Sequence, residues 1–270
     1  MEEKRFILSR EDFAKERVSG LQRAVETIRR ERPEVLSLAL FGSLTKGTTK
    51  LESDIDMAVY VDADLLRDVH PDLGDDLFLD KKYDFNAIRN GRLQAVTFRW
   101  KDLRSDLSDE YERYVNEKIL AAIPGLRKEQ LKDVYIQPVS EKIVDGILEE
   151  IKESYQKYPN GIASSNIQLG GRQVWEGDWA KDQTPNSRVE PNQLLFGLFF
   201  LDAGGGLREY RKQIIDRLWL WGELGEQIWK DLISKTEMWE QRVDFDSLPT
   251  AKRYPRTLKA AHALYGRAIS

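Results

Sequence analysis

The feature that most constrains the fold is a pair of apolar segments, at residues 35–41 and 54–61, joined by a polar loop. The first segment, VLSLALF, predicts a buried strand rather than a helix, because it is short and ends in Gly-Ser. The second segment, DIDMAVYV, alternates between an apolar face and a face that begins with Asp54 and Asp56. We therefore predict two strands, of which the second has an acidic end.

The loop and the acidic end have complementary chemistry. The strand ends at Gly42 and Ser43, so the backbone N–H groups there have no partner on a neighbouring strand. Glycine lets a phosphate approach these N–H groups closely, and the serine hydroxyl is a further hydrogen-bond donor. Asp54 and Asp56 are two residues apart, so their carboxylates point the same way, which is unfavourable unless a cation lies between them. Oxygen ligands without histidine or cysteine favour Mg²⁺ or Mn²⁺, completed by phosphates and water. Together these residues predict a site for a metal-bound nucleoside triphosphate.

The composition excludes several other kinds of chemistry. The 270 residues include no cysteine and two histidines, which excludes a disulfide framework, a thiolate metal site and a multi-histidine zinc site. The net charge is −4 and neither half of the chain is basic, which disfavours extended nucleic-acid binding. The longest apolar stretch, LLFGLFFL at 194–201, is far shorter than the ~20 residues that span a bilayer. We therefore expect a soluble, cytoplasmic protein that does not bind membranes.

The motif resembles the signature of the nucleotidyltransferase superfamily that includes DNA polymerase beta. That signature is Gly-Ser, often a second glycine, and then Asp-x-Asp or Asp-x-Glu on the next strand. The matching residues of this chain are Gly42, Ser43, Gly47, Ser53, Asp54 and Asp56. The resemblance implies a small twisted sheet with helices packed against it. It also implies a two-metal, in-line attack on the α-phosphorus of a nucleoside triphosphate, with pyrophosphate leaving.

The resemblance further implies roles for individual residues. Asp54 and Asp56 would bind the metal ions, whereas Gly42 and Ser43 would hold the β- and γ-phosphates. Lys46 is a candidate triphosphate contact, because many relatives have a basic residue just before the second glycine; a solvated loop lysine is the alternative. Ser53 is also assigned to the nucleotide-binding residues.

Members of this superfamily usually have a third carboxylate on a neighbouring strand, and Asp84 in KYDFNAI is our candidate for catalysis and metal binding. Its sequence Asp84-Phe-Asn86 resembles the acidic-x-Asn pattern of kanamycin nucleotidyltransferases, and the alternative is a solvent-facing aspartate. In streptomycin-type members the third carboxylate precedes a Val-Thr strand, where this chain has Gln94.

The Asn-Gly at 90–91 predicts a hairpin between the strands at 82–88 and 92–100.

The hydropathy pattern divides the chain into two unlike halves. Ser9 is the expected N-cap of a helix over 11–32, and beyond residue 105 only helices are predicted, including 193–201, 207–242 and 250–268. We predict an α+β fold: a nucleotidyltransferase domain at 1–135, built from a small mixed sheet flanked by helices, and a helical acceptor-binding domain at 136–270. The Gly-Gly-Gly at 204–206 is interpreted as a break between helices and not as a phosphate loop, since no strand is predicted before it. Candidate acceptor-side residues are Glu149, Glu150, Glu153, Trp175, Glu176, Trp179 and Glu190.

The expected activity is transfer of a nucleoside monophosphate, AMP in the first instance, to a hydroxyl of a small molecule. Aminoglycosides and lincosamides are the nearest analogy, which implies antibiotic resistance, and the acidic balance suits a cationic acceptor. One alternative is transfer to a macromolecule such as tRNA or a protein. Another is a regulatory, nucleotidyltransferase-like partner of a toxin–antitoxin pair.

Overall fold

The chain begins with a long helix and two paired strands. The computed structural model describes residues 9–89, 92–131, 134–157, 165–169, 172–173, 195, 197–238 and 255–266. The first elements are α1 (Arg10–Glu31), β1 (Val35–Phe41), α2 (Gly42–Thr45), β2 (Asp56–Asp62) and α3 (Ala63–Val69). As predicted, Ser9 caps α1, accepting the Asp12 N–H at 3.1 Å. Both predicted strands are confirmed, although β2 begins two residues later than the pattern suggests.

In the described residues, a hairpin, five α-helices and four short strands follow. The hairpin consists of β3 (Phe78–Arg89) and β4 (Arg92–Leu103) and confirms the prediction made from Asn-Gly. The remaining elements are α4 (Ser105–Ala122), β5 (Val134–Val139), α5 (Glu141–Lys157), β6 (Ser165–Leu169), β7 (Arg172–Gln173), β8 (Leu201–Asp202), α6 (Arg208–Leu220), α7 (Glu223–Met238) and α8 (Leu258–Gly266). Short 3-10 helices occupy Gly74–Leu77 and Lys128–Gln130.

The strands form two sheets. The first has the order β5-β2-β1-β8, with β5 parallel to β2 and the other neighbours antiparallel; the second has the order β4-β3-β6-β7. The expectation that only helices follow residue 105 is therefore wrong. β8 has only two residues, which are too few to show an alternating pattern. β5 contains Pro138, and proline argues against a strand in the sequence; it is tolerated here because β5 is an edge strand of its sheet. The domain boundary predicted at residue 135 falls inside β5, and β8 brings the second half of the chain back to β1.

The first sheet is buried on both faces. Leu38, Leu40 and Met57 pack in one core with α1 and α4, whereas Ala39 and Tyr60 pack in a second core with α5 to α8. The alternation predicted for β2 is therefore confirmed, and its second face is covered by helices of the second half. None of the helices in the described ranges combines the length and the apolar character that crossing a bilayer requires.

A buried carboxylate organises the junction of β8 and α6. Asp202 is fully buried; it accepts the backbone N–H groups of Gly205 at 2.7 Å and Leu207 at 3.0 Å and the hydroxyl of Ser37, and it pairs with Arg211 at 3.7 Å. The glycine run is thus preceded by a strand, contrary to our prediction. The N–H groups of Gly204 and Gly205 are directed to the Asp202 carboxylate, and the interpretation that the run is not a phosphate loop stays a prediction.

Replacing Asp202 with Asn is expected to lower the free energy of unfolding by about 3 kcal/mol, because it leaves the buried Arg211 charge uncompensated. Urea unfolding measures this loss. The matched control is Asp216→Asn on α6, where a partly exposed carboxylate pairs with Lys212 at 3.1 Å and the loss should stay below about 1 kcal/mol. Equal losses in the two variants would contradict a special role for the buried pair.

Candidate functional site

The Gly-Ser turn and the acidic end of β2 lie against each other. Phe41, the last residue of β1, pairs with Asp56, the first residue of β2. Gly42 has a φ of +72°, in the left-handed region that favours glycine, and a Cβ at this position would overlap the Asp56 carboxylate. Asp54 and Asp56 are half-buried, whereas Ile55 between them is fully buried. The structure therefore brings together the turn and the carboxylate that the sequence analysis placed in one site.

The loop after Gly42 is closed by its own hydrogen bonds. The Lys46 N–H donates to the Gly42 carbonyl at 3.2 Å, and the Thr48 N–H donates to the Ser43 carbonyl at 3.0 Å. The Thr45 hydroxyl also donates to the Gly42 carbonyl, at 3.3 Å. Ser43 and Lys46 are both half-buried.

Ser53 closes the turn that precedes Asp54. Its hydroxyl accepts the Lys50 N–H at 2.8 Å, and its own N–H donates to the Lys50 carbonyl at 3.1 Å. The structure thus shows a turn-closing contact for Ser53, while its predicted contact with a nucleotide stays a prediction.

Two buried side chains that the sequence analysis missed hold the same segment. Arg17 of α1 donates to the carbonyls of Leu51 at 2.8 Å and Ser53 at 3.0 Å. The side-chain amide of Gln130 donates to the same two carbonyls, at 2.8 and 2.9 Å. The backbone that leads into Asp54 is therefore held from two directions by groups distant in sequence.

The second half of the chain reaches the site through an aromatic contact. The rings of Phe41 and Phe200 lie 4.9 Å apart between centroids, at an interplanar angle of 33°. Phe41 and Asp56 are opposite each other in an antiparallel pair, so their side chains share one face of the sheet. By alternation this is also the face of Tyr60, which the helices of the second half cover. The carboxylate end of β2 thus lies beside the second half.

Asp84 is not on a strand next to β2, contrary to our expectation. It lies in the middle of the hairpin, paired with Thr97, whereas the neighbours of β2 are β1 and β5. The two strands of the hairpin pair with each other along their whole length in a second sheet, and β4 contacts β5. The side chain of Asp84 lies outside the described part of the structure, so its catalytic and metal-binding role stays a prediction.

The acceptor-side candidates are only partly described. Glu149, on α5, forms an ion pair with Lys152 at 3.1 Å. Glu150 and Glu153 are also on α5. The other candidates, which fall outside the described residues, are Trp175, Glu176, Trp179 and Glu190.

The donor set at the turn fits a hard cation bound together with a phosphate. In the part of the chain that the structure describes, no group of three His, Cys, Asp or Glu side chains could hold a metal ion. Mg²⁺, however, is typically bound through one or two carboxylates and completed by substrate phosphates and water. Asp56, beside the Gly-Ser turn, and Asp54, two residues before it in the chain, offer carboxylates of this kind.

Comparison with known proteins identifies the segment that contains the turn. The family model described as "Polymerase beta, Nucleotidyltransferase" matches residues 23–97, which include Gly42, Ser43, Asp54, Asp56 and Asp84. No curated protein and no solved structure matches the chain. Residues 23–97 of this chain are therefore similar to the polymerase beta nucleotidyltransferases, which supports the resemblance drawn from the Gly-Ser and Asp-x-Asp motif.

Proposed function

We propose that the protein transfers a nucleoside monophosphate, AMP in the first instance, from a nucleoside triphosphate to a hydroxyl of a small molecule. The observation that carries this proposal is the contact between Gly42 and the Asp56 carboxylate inside the nucleotidyltransferase segment. It joins a turn suited to phosphate with a carboxylate suited to Mg²⁺ or Mn²⁺.

Each residue of the turn has a distinct task in this proposal. Gly42 leaves room for the Asp56 carboxylate, and Ser43 donates its hydroxyl to a phosphate oxygen. Lys46 and Ser53 are assigned to the triphosphate as well. Asp54 and Asp56 hold the metal ions, which when bound neutralise the charge that develops on the triphosphate.

The acceptor oxygen would attack the α-phosphorus. A new P–O bond forms to the acceptor, the bond to the β-phosphate oxygen breaks, and pyrophosphate leaves. The proton of the acceptor hydroxyl passes to a carboxylate, for which Asp84 is the candidate.

The second half of the chain is the proposed acceptor side. Its helices cover the sheet face on which Asp56 lies, and Phe200 contacts Phe41 directly opposite Asp56 in the strand register. The net charge of −4 suits a cationic acceptor such as an aminoglycoside. Antibiotic modification is the activity to test first on this basis.

A transfer assay tests the proposal. The full chain is incubated with Mg²⁺, ATP labelled at the α-phosphate, and separate panels of aminoglycosides, lincosamides, tRNA and proteins. We expect label on a small molecule and release of pyrophosphate. If the label appears on tRNA or protein instead, the acceptor is a macromolecule and not a small molecule. If neither ATP nor GTP, CTP or UTP gives pyrophosphate or binds to the protein, the enzyme proposal is contradicted and a regulatory partner is favoured.

Replacing Asp84 with Asn is expected to slow transfer about 100-fold, because general acid–base groups typically contribute at least that factor. The rate is measured at saturating triphosphate. Asp80→Asn on the same strand is the matched control and should retain the wild-type rate. A wild-type rate in Asp84→Asn would mean that another carboxylate takes the proton.

A further inference from the structure

The peptide groups on both sides of Asp54 have buried partners outside the segment matched by the family. The Ser53 carbonyl accepts from Arg17 and from the Gln130 side chain, and the Ile55 N–H donates to the Gln130 carbonyl at 2.8 Å. Arg17 precedes the matched residues 23–97 and Gln130 follows them. The backbone on both sides of Asp54 is therefore held by groups that lie outside the matched residues.

The orientation of the Gln130 amide is determined by its surroundings. Its oxygen accepts the Arg127 N–H at 3.1 Å, and its nitrogen donates to the carbonyls of Leu51 and Ser53. Only 2% of Gln130 is exposed, and without its donors the carbonyls of Leu51 and Ser53 would keep only their hydrogen bonds from Arg17. The residue also begins the path into β5, whose parallel register with β2 starts at Met57. The Ile55 N–H, which donates to the Gln130 carbonyl, lies two residues before the start of that register.

Arg17 donates charged hydrogen bonds to the same two carbonyls. The residue is 3% exposed, its guanidinium lies 4.5 Å from the ring centre of Phe13, and burial lowers its pKa. Hydrogen bonds from a charged donor are stronger than those between neutral groups. The segment that carries Asp54 is therefore attached to the apolar face of α1.

We propose that Arg17 and Gln130 are positioning residues for metal binding: they hold the backbone so that the Asp54 carboxylate stays beside Asp56 and the Gly-Ser turn. This inference rests on the proposed function, in which Asp54 binds the metal. Partners that orient a metal ligand typically change metal affinity 10–100-fold when they are removed. Neither residue touches the metal or the substrate in this proposal.

The test measures Mn²⁺ affinity by electron paramagnetic resonance, with a nonhydrolysable ATP analogue present, on the full-length chain. Gln130→Met and Arg17→Met remove the donors, and Gln130→Glu retains the size of the side chain while removing both N–H groups. The matched controls are Gln213→Met, which removes a bond to the Glu141 carbonyl (2.9 Å), and Arg29→Met, which removes a bond to the Gly204 carbonyl (3.0 Å). Arg17→Lys retains the charge and replaces Arg17→Met if that variant does not fold.

We expect the dissociation constant for Mn²⁺ to rise about 10–100-fold in the three donor-removing variants and to stay unchanged in the two controls. Arg17→Lys should give a smaller rise. Urea unfolding is run in parallel, because a purely structural role would lower stability without changing the affinity of the folded fraction. If folded Gln130→Met and Arg17→Met bind Mn²⁺ with wild-type affinity while Asp54→Asn loses binding, this inference is overturned and the proposed function stands. Absence of Mn²⁺ binding in the wild type would overturn the proposed function, and this inference with it.

Discussion

Replacing Asp54 or Asp56 with Asn should reduce nucleotidyl transfer at least about a thousandfold. Asparagine retains the size of the side chain but removes the negative charge that a hard cation needs. Metal ions contribute several kcal/mol to such reactions, and about 1.4 kcal/mol corresponds to a factor of ten in rate. The rate is measured as pyrophosphate released per enzyme at saturating Mg²⁺ and triphosphate. Because both side chains are half-buried rather than in a core, the stability of the two variants should stay close to that of the wild type.

Glu52→Gln is the matched control for these variants. Glu52 lies in the same acidic stretch but is exposed, so this substitution removes one charge from the loop without touching the proposed ligands. It should retain the wild-type rate. Equal activity in Asp56→Asn and Glu52→Gln would show that the acidic end of β2 does not bind the metal.

Replacing Gly42 with Ala should reduce transfer about 100-fold, because the added Cβ overlaps the Asp56 carboxylate and forces one of the two to move. Displacements of about 1 Å at an active site can have an effect of this size. The substitution should also lower the free energy of unfolding by roughly 1–2 kcal/mol, because Gly42 has a φ of +72°. Steady-state kinetics and urea unfolding measure the two effects separately.

Gly125→Ala separates the steric effect from the backbone effect. Gly125 has a φ of +80°, but a Cβ there would have no atom within 4 Å. The control should therefore show a similar loss of stability and no loss of rate. If Gly42→Ala also transfers at the wild-type rate, the contact between the turn and Asp56 has no part in catalysis.

The Gly-Ser turn and the acidic end of β2 were predictable because their signal is local. Gly42, Ser43, Asp54 and Asp56 lie within 15 residues, and each has a direct physical reason to be there. The strands on either side are apolar enough to identify from pattern alone. Arg17 was harder to identify. It lies four residues from both Phe13 and Leu21, on the apolar face of a helix, and a single arginine on such a face does not indicate which group it binds.

The tertiary arrangement was less accessible from the sequence. Which strand lies beside β2 depends on pairing between distant segments; the chain inserts a hairpin and α4 before β5 takes that position. Asp84 was placed beside β2 because members of the superfamily usually have their third carboxylate on a neighbouring strand, and because Asp84-Phe-Asn86 resembles the acidic-x-Asn pattern. β8 has two residues, so no hydropathy pattern could predict it. Its pairing with β1 and the contacts of Asp202 nevertheless attach the second half of the chain to the sheet.

The most direct test of a metal-dependent triphosphate site is binding, because it needs no knowledge of the acceptor. Isothermal titration would follow a nonhydrolysable ATP analogue into the wild type and into Asp56→Asn, in Mg²⁺ and in EDTA. If Asp54 and Asp56 hold the metal that carries the triphosphate, the wild type binds the analogue in Mg²⁺ and loses most of its affinity both in EDTA and in the Asp56→Asn variant. Equal affinity under all of these conditions, or no binding of any triphosphate analogue to the wild type, would contradict that assignment.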